Sequence, residues 1–193
     1  YSFSAYNYCV NNPVMFVDPD GENYDVHFFQ REKTIIISAE YYTTKDAKKS
    51  AEEAVAFYNN NKDMQYEYNG EKYSVRFYLE VKESNNAITI VNIQDKNGNK
   101  NSYLYGSPKN DNNLDGYITT GSTENHKHII ILKSYGTGTL TGAHEIGHTL
   151  MLTAENMHSE KGIMKAHEKN PITDGFITQE NINSMMKSSQ TRW

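Results

Sequence analysis

The feature that most constrains the fold of this chain is an apolar stretch, residues 143–152, that contains two histidines four positions apart. The small and apolar residues around them predict a helix that is buried against a core. On such a helix, His144 and His148 are at positions i and i+4, so both imidazoles project from one face and can bind one metal ion. Gly147 permits close approach of a neighbouring element, and Thr141 is the expected N-cap.

Glu145 lies between the two histidines, about 100° around the helix from His144. From there its carboxylate can reach a metal-bound water and act as a general base. Zinc lowers the pKa of such a water to about 7 and polarises a carbonyl group. The pattern H-E-x-x-H therefore predicts zinc and hydrolysis of a peptide bond, with Glu145 as the catalytic residue. A helix with two satisfied histidines is the alternative without metal chemistry.

A catalytic zinc also needs a third protein ligand. If the helix simply continued, Glu155 and His158 would lie roughly 10 Å and 15 Å along its axis from His148, too far to share its metal. The helix is therefore expected to break, and Asn156, which tolerates the left-handed conformation, is the expected position. The candidate third ligands are Glu155, His158, His167 and Glu180.

Residues 156–164, with the sequence NMHSEKGIM, resemble the segment of metzincin peptidases that carries the third histidine and leads to the Met-turn. The resemblance implies that His158 is the third zinc ligand and that Met164 lies beneath the zinc without binding it. The chain departs from the metzincin pattern H-E-x-x-H-x-x-G-x-x-H, because Met151 stands at the glycine position and Ala154 at the position of the third histidine. A ligand at Glu180 would be similar to gluzincin sites instead.

The rest of the chain is consistent with the same family. Hydrophobic periodicity predicts strands at residues 34–39, 73–81, 87–93 and 128–132, a helix at 44–58 and a short edge strand at 117–120. Residues 95–113 are rich in Asn, Lys, Gly and Ser and are expected to form a long surface loop, interrupted by Tyr103-Leu104-Tyr105. Residues 176–186 resemble the last helix of matrixin-type metzincins, with Thr178 as N-cap. The implied fold is α+β: a twisted, mostly parallel sheet with an antiparallel edge strand, an active-site helix and a C-terminal helix.

The N-terminal residues have a different character. Residues 6–22 read YNYCVNNPVMFVDPDGE, with two turn signals around a short apolar run. This pattern resembles the closing segment of RHS/YD-repeat proteins. The resemblance implies two parts, residues 1–22 as the tail of an RHS core and residues 23–193 as a metallopeptidase domain that is toxin or effector cargo. It also implies that the RHS shell and an immunity protein are partners, and that the cargo is secreted or delivered into a target cell.

Composition excludes several other classes of function. The formal net charge of −5 provides no basic footprint for nucleic acid, and no apolar run is long enough to span a membrane. The first residues lack the basic and apolar regions of a signal peptide, and the absence of an initial Met suggests a fragment of a longer protein. A candidate calcium loop, Asp111, Asn113 and Asp115, has Ser122 instead of Glu at its twelfth position, so a solvated loop is the favoured interpretation.

The sequence thus predicts a zinc-dependent endopeptidase whose substrate is an extended protein or peptide segment. Two other functions remain open at this stage. One is a non-catalytic interaction or adhesion domain with a structural zinc, and the other is a zinc hydrolase that acts on something other than peptides. A site closed by four protein ligands would favour the structural zinc, whereas an open coordination position would favour catalysis.

Overall fold

A β-sheet forms the framework of the fold. In this computed structural model, residues 24–84, 101–106, 116–120, 126–151, 158–165 and 172–190 are described. The strands are β1 (Asp25–Phe29), β2 (Thr34–Thr43), β3 (Gln65–Tyr68), β4 (Glu71–Glu83), β5 (Asn101–Tyr105), β6 (Gly116–Thr120) and β7 (His126–Ile131). The helices are α1 (Lys48–Asn59), α2 (Thr141–Leu150) and α3 (Gln179–Gln190), with a 3-10 turn at Lys133–Tyr135. Among the described residues, no helix is long and apolar enough to cross a membrane.

The strand order is β3-β4-β2-β5-β7-β6, with β1 paired to β2. The central strands β4, β2, β5 and β7 run parallel, whereas β3 and β6 are antiparallel to their neighbours at the two edges. β1 is antiparallel to the first half of β2, and β5 pairs with the last three residues of β2. The mixed α+β class and the parallel centre of the sheet are as predicted. Three described strands are antiparallel, however, where one was expected.

One part of the predicted surface loop at 95–113 is instead a central strand. β5 lies between β2 and β7, and its first four residues are buried. The loop prediction was wrong here because Asn101 and Ser102 are polar, although both are buried in the sheet. Tyr103 anchors the strand through a hydrogen bond between its hydroxyl and Ser50 Oγ on α1, at 2.6 Å. The strand predicted at residues 87–93 lies outside the described residues.

Helix α2 is enclosed on all sides, since each of its ten residues is buried. It packs against α1 and against β6 and β7. The helix begins at Thr141 and its N-cap is Leu140, so the prediction of Thr141 as N-cap is wrong by one position. The Thr141 hydroxyl instead accepts a hydrogen bond from the backbone N–H of Ile172, at 3.3 Å. The tertiary contact thus uses the side chain that was expected to cap the helix.

Buried tyrosines connect α2 to the rest of the core. The Tyr58 hydroxyl donates to the Ala143 carbonyl of α2 at 2.8 Å, and the Tyr41 hydroxyl lies 2.7 Å from Thr149 Oγ1. Burial raises the pKa of both tyrosines well above the usual value for a phenol. Their hydroxyls therefore stay protonated throughout the neutral pH range and remain available as hydrogen-bond donors.

The C-terminal helix begins as predicted. Thr178 Oγ1 accepts a hydrogen bond from the Asn181 backbone N–H at 3.1 Å, which confirms Thr178 as the N-cap of α3. The apolar residues of this helix face the core, since Ile182, Met185 and Met186 are buried. Near its middle, α3 is bonded to the residue that precedes β1, because the Tyr24 hydroxyl donates to the Met185 carbonyl at 2.8 Å.

The contact between Tyr58 and α2 predicts the effect of a single substitution. Tyr58→Phe should lower the free energy of unfolding by about 1 kcal/mol, because it removes one buried hydrogen bond and little else. Tyr78→Phe is the matched control, since the Tyr78 ring is 61% exposed and its hydroxyl bonds only Glu80 at the surface. Urea unfolding of both variants is the measurement. Equal stability of Tyr58→Phe and wild type would contradict the anchoring role of Tyr58.

Candidate metal centre

Two imidazoles converge on one face of the buried helix α2. His144 and His148 are one turn apart, and their Nε2 atoms lie 3.1 Å from each other. The two rings are nearly perpendicular, at 89°, with centroids 4.7 Å apart. Each side chain is 6% exposed. Two ligand atoms on a tetrahedral zinc with bonds of 2.0–2.1 Å are separated by about 3.3 Å, so the observed spacing fits a shared zinc.

His158 completes the group from outside the helix. Its ring stacks on His144 with centroids 5.4 Å apart and meets His148 edge-on at 4.9 Å. One ligand nitrogen from each of the three histidines lies within 4.8 Å of the others. His144 and His148 are buried, whereas His158 is exposed. The three side chains could therefore hold a metal ion in a site that is enclosed by α2 on one side and borders solvent at His158.

A hydrogen bond to the backbone orients His144. Its Nδ1 atom lies 2.6 Å from the carbonyl oxygen of Ile163. Since a carbonyl can only accept, Nδ1 carries the proton and Nε2 presents its lone pair to the other histidines. Histidine ligands of metals commonly donate their second N–H to a carbonyl or carboxylate in this way. His144 thus has the protonation state that a metal ligand requires.

The residue next to Ile163, Met164, packs beneath the helix at Gly147. A methyl group on Gly147 would lie 2.2 Å from Met164 Sδ and 2.8 Å from the Tyr58 hydroxyl. Met164 is 1% exposed, so its thioether is enclosed between α2 and the loop. Gly147 is therefore required for the close approach of Met164 to the helix that carries both histidines.

Glu145 is also buried, with 6% of its side chain exposed. It follows His144 directly on α2 and is near enough to Tyr103 that its negative charge contributes, after the larger effect of burial, to the raised pKa of that phenol. A carboxylate in such surroundings is costly to keep charged without polar partners. Glu145 is thus buried next to the histidine group, whereas the acidic residues of the described strands are exposed or half-buried.

The end of α2 and the position of Glu180 both differ from what the search for a third ligand in the sequence suggested. α2 ends at Leu150 and Met151 is its C-cap, so the helix ends before Asn156, and the prediction of a break near Asn156 is wrong. The sequence signal for the earlier end was weak, because Met151 has neither glycine's freedom nor proline's restriction. Glu180 is exposed in the first turn of α3 and, within the described residues, is not part of the histidine group.

The remaining predicted site residues lie outside the described residues. They are the candidate ligands Glu155 and His167, the candidate calcium loop Asp111, Asn113 and Asp115, and residues 1–22 with the RHS-like pattern.

Residues 172–178 join the parts of the site, and the sequence patterns did not predict this role. Ile172 is bonded through both backbone groups to the start of α2, since its carbonyl accepts from Leu140 N at 2.5 Å and its N–H donates to Thr141 Oγ1. Four residues later, the Phe176 carbonyl accepts from Ile163 N at 2.9 Å. Residues 172–178 therefore connect the beginning of the metal-site helix to the loop of the third histidine. Backbone pairing of this kind leaves no pattern in side-chain sequence.

No known protein family, no curated protein and no solved structure matches this chain. The function of the chain is therefore inferred from its own residues and geometry.

The packing of Gly147 leads to a stability prediction. Gly147→Ala should lower the free energy of unfolding by about 1–2 kcal/mol, because the gain in helix propensity is smaller than the cost of displacing enclosed side chains. In a Met164→Ala background, Gly147→Ala should lower the free energy of unfolding by less than it does in wild type. The shorter side chain at position 164 leaves room for the added methyl group. The measurement is chemical unfolding of the two single variants and the double variant. Strictly additive losses would exclude a direct clash between the two positions.

Proposed function

We propose that the chain is a zinc-dependent endopeptidase with a metzincin-like fold. The observation that carries the proposal is the convergence of His144, His148 and His158 beside the buried Glu145. Catalytic zinc sites commonly have three protein ligands, with the fourth position open to water or substrate. A carboxylate next to the first histidine ligand has no function in a purely structural site. It is required for general base catalysis.

The three histidines are the residues that would hold the ion. Imidazole nitrogens suit zinc, and the hydrogen bond from His144 Nδ1 to Ile163 leaves the correct nitrogen for coordination. Zinc bound there would polarise the scissile carbonyl and make water acidic enough to react near neutral pH. Met164, packed against Gly147, would support the group from below without contributing a ligand.

Glu145 would move the proton in this reaction. Its carboxylate accepts a proton from the attacking water and returns that proton to the nitrogen of the leaving amine. Because Glu145 is only 6% exposed, little bulk water competes for its carboxylate. The proton that it accepts would therefore come from the attacking water beside the histidines. The chain thus contains a ligand set and a base on one rigid helix.

The substrate that fits best is an extended peptide. β6 is at the end of the strand order, and in the described part of the chain it pairs only with β7. α2 packs against both strands, so the open edge of β6 is near the helix that bears the site. A peptide added antiparallel or parallel to β6 would be held by backbone hydrogen bonds, which favours cleavage of unfolded or loop segments.

The wider biological context is proposed from the RHS-like residues 1–22 alone. On that basis the domain at 23–193 is toxin or effector cargo of an RHS-type protein, delivered outside the producing cell and neutralised by an immunity protein. Calcium at Asp111, Asn113 and Asp115 is a secondary proposal that rests on the spacing of oxygen ligands.

A structural zinc in an interaction domain is the second candidate function. It would need a fourth protein ligand, whereas the group within the described residues has three members, one of them exposed. A zinc hydrolase with a substrate other than peptides has the same site chemistry. The substrate therefore distinguishes it from the favoured proposal.

The metal centre is tested by His158→Ala. Purified wild-type protein should bind one zinc ion per chain, and the variant should lose most of that binding because two imidazoles alone hold zinc weakly. His27→Ala is the matched control, since His27 is a half-buried histidine on β1 that bonds Ser38 and is outside the group. Zinc content after dialysis is measured by atomic emission. Full retention of zinc by His158→Ala would show that another residue is the third ligand.

The peptidase activity is tested by Glu145→Gln. This variant should keep its zinc and lose at least about a hundredfold in rate of peptide cleavage, because the amide cannot accept a proton. The assay is digestion of unfolded casein and of a peptide library, with the cleavage products identified by mass spectrometry. If wild type binds zinc but cleaves no peptide, the endopeptidase proposal is wrong and the two alternative functions remain.

A further inference from the structure

His158 differs from the other two histidines in how its position is fixed. His144 and His148 belong to a buried helix, whereas His158 is exposed and belongs to neither a helix nor a strand. The placement of such a ligand depends on the chain beside it as well as on the ring contacts of His158 with His144 and His148. Residues that orient a metal ligand from behind strongly influence metal affinity. The contacts of the segment 158–165 therefore decide how well the third ligand is placed.

Ser159, the next residue, makes the first set of those contacts. Its backbone N–H donates to the Met164 carbonyl at 2.8 Å and closes the loop at its base. Its hydroxyl donates to the Lys161 carbonyl at 2.6 Å. With its hydrogen used in that bond, Ser159 Oγ can only accept from other groups. It accepts from Asn181 Nδ2 on α3, at 3.5 Å.

Asn181 is fixed by the start of α3. Its side-chain Oδ1 accepts from the Thr178 backbone N–H at 3.0 Å, while its own N–H donates to Thr178 Oγ1 at 3.1 Å. The two bonds form a reciprocal capping box in which asparagine takes the usual place of glutamate or glutamine. Asn181 is 2% exposed, so its amide has no competing contact with solvent. Because Oδ1 is occupied by the cap, Nδ2 is left pointing to Ser159.

A glycine brings the loop and the cap together. Gly162 has φ of +80°, and a methyl group on it would lie 2.5 Å from Thr178 Cγ2 and 2.6 Å from the Phe176 carbonyl oxygen. The loop of the third histidine therefore rests directly on the N-cap of α3. The hydrogen bond between Asn181 and Ser159 links two segments that are already in close contact.

We propose that Asn181 is a positioning residue for the metal centre: it couples the N-terminal cap of α3 to Ser159 and thereby fixes His158. This inference rests on the metal centre of the proposed function and not on its peptidase activity. It assigns α3 a role in metal affinity, although α3 contributes no member of the histidine group. It also explains why the amide of asparagine is found where a carboxylate would cap the helix equally well, since only the amide has a donor for Ser159.

The test is the zinc affinity of Asn181→Asp and Ser159→Ala. Aspartate at 181 keeps the acceptor for Thr178 and suits a helix N-terminus, so α3 stays capped. It has no donor for Ser159 Oγ, and the two oxygens can approach only if Ser159 gives up its bond to Lys161. We expect each single variant to bind zinc about tenfold more weakly than wild type, as is typical for loss of an orienting partner.

A double variant separates coupling from two independent effects. If Asn181 and Ser159 act through the same bond, the combined variant should bind zinc no more weakly than the weaker-binding of the two single variants. Asn183→Asp is the matched control on the same helix, because Asn183 is exposed and uses its Oδ1 to accept from Gln179, which aspartate can also do. Its zinc affinity should equal that of wild type.

Two further measurements distinguish positioning from general loss of structure. The metal-free form of Asn181→Asp should still unfold in a single cooperative transition, at a temperature lowered only by the loss of one buried hydrogen bond. The visible absorption bands of bound cobalt should shift in the variant because the third ligand is displaced. Wild-type zinc affinity in Asn181→Asp would overturn the proposal, as would multiplied losses in the double variant. If wild type itself binds no zinc or cobalt, the metal centre and this inference both fail. If it binds metal but cuts no peptide, only the peptidase proposal fails.

Discussion

The hydrogen bond between His144 Nδ1 and the Ile163 carbonyl is the interaction on which the site depends most. It orients an imidazole of the buried helix, and at the same time it attaches that helix to the loop that carries His158. The carbonyl is in place because Ile163 N bonds Phe176, whose segment is in turn bonded to the start of α2. The helix, the loop and the connecting segment 172–178 are thus joined in one closed series of hydrogen bonds, in which the His144 side chain links the helix to the loop and backbone groups make the other two links.

The surrounding core explains why a polar site can be kept so deep in the molecule. α2 is buried along its whole length, and two of its polar groups, the Ala143 carbonyl and the Thr149 hydroxyl, are bonded by tyrosine hydroxyls that reach in from α1 and the sheet. Phenols with a raised pKa remain donors over a wide range of pH, so this support does not change with protonation. A rigid scaffold of this kind is what a metal site needs if its ligands are to keep their geometry before the metal arrives.

Three structural devices restrict the loop of the third histidine. The Ser159–Met164 backbone bond closes it, Met164 packs against Gly147 beneath the helix, and Gly162 rests against the cap of α3. None of them contributes a ligand. Together they replace the geometric precision that His144 and His148 obtain simply from being one helical turn apart. The cost in conformational entropy of holding an exposed ligand is offset by contacts made elsewhere in the loop.

The sequence by itself determined those features that depend on hydrophobic periodicity and on the spacing of residues along the chain. The two histidines and Glu145 on one helix, the strands β2, β4 and β7, and the Thr178 cap all follow from local patterns, because the residues that define each feature are neighbours along the chain or along one helix face. Only the tertiary structure decided the features that depend on distant partners. These include the burial of the polar strand β5, the use of Thr141 by Ile172, the end of α2 at Leu150, and the approach of His158 to the other two histidines. Each is set by backbone hydrogen bonds and packing between segments far apart in sequence, which leave no periodic signal in the residues themselves.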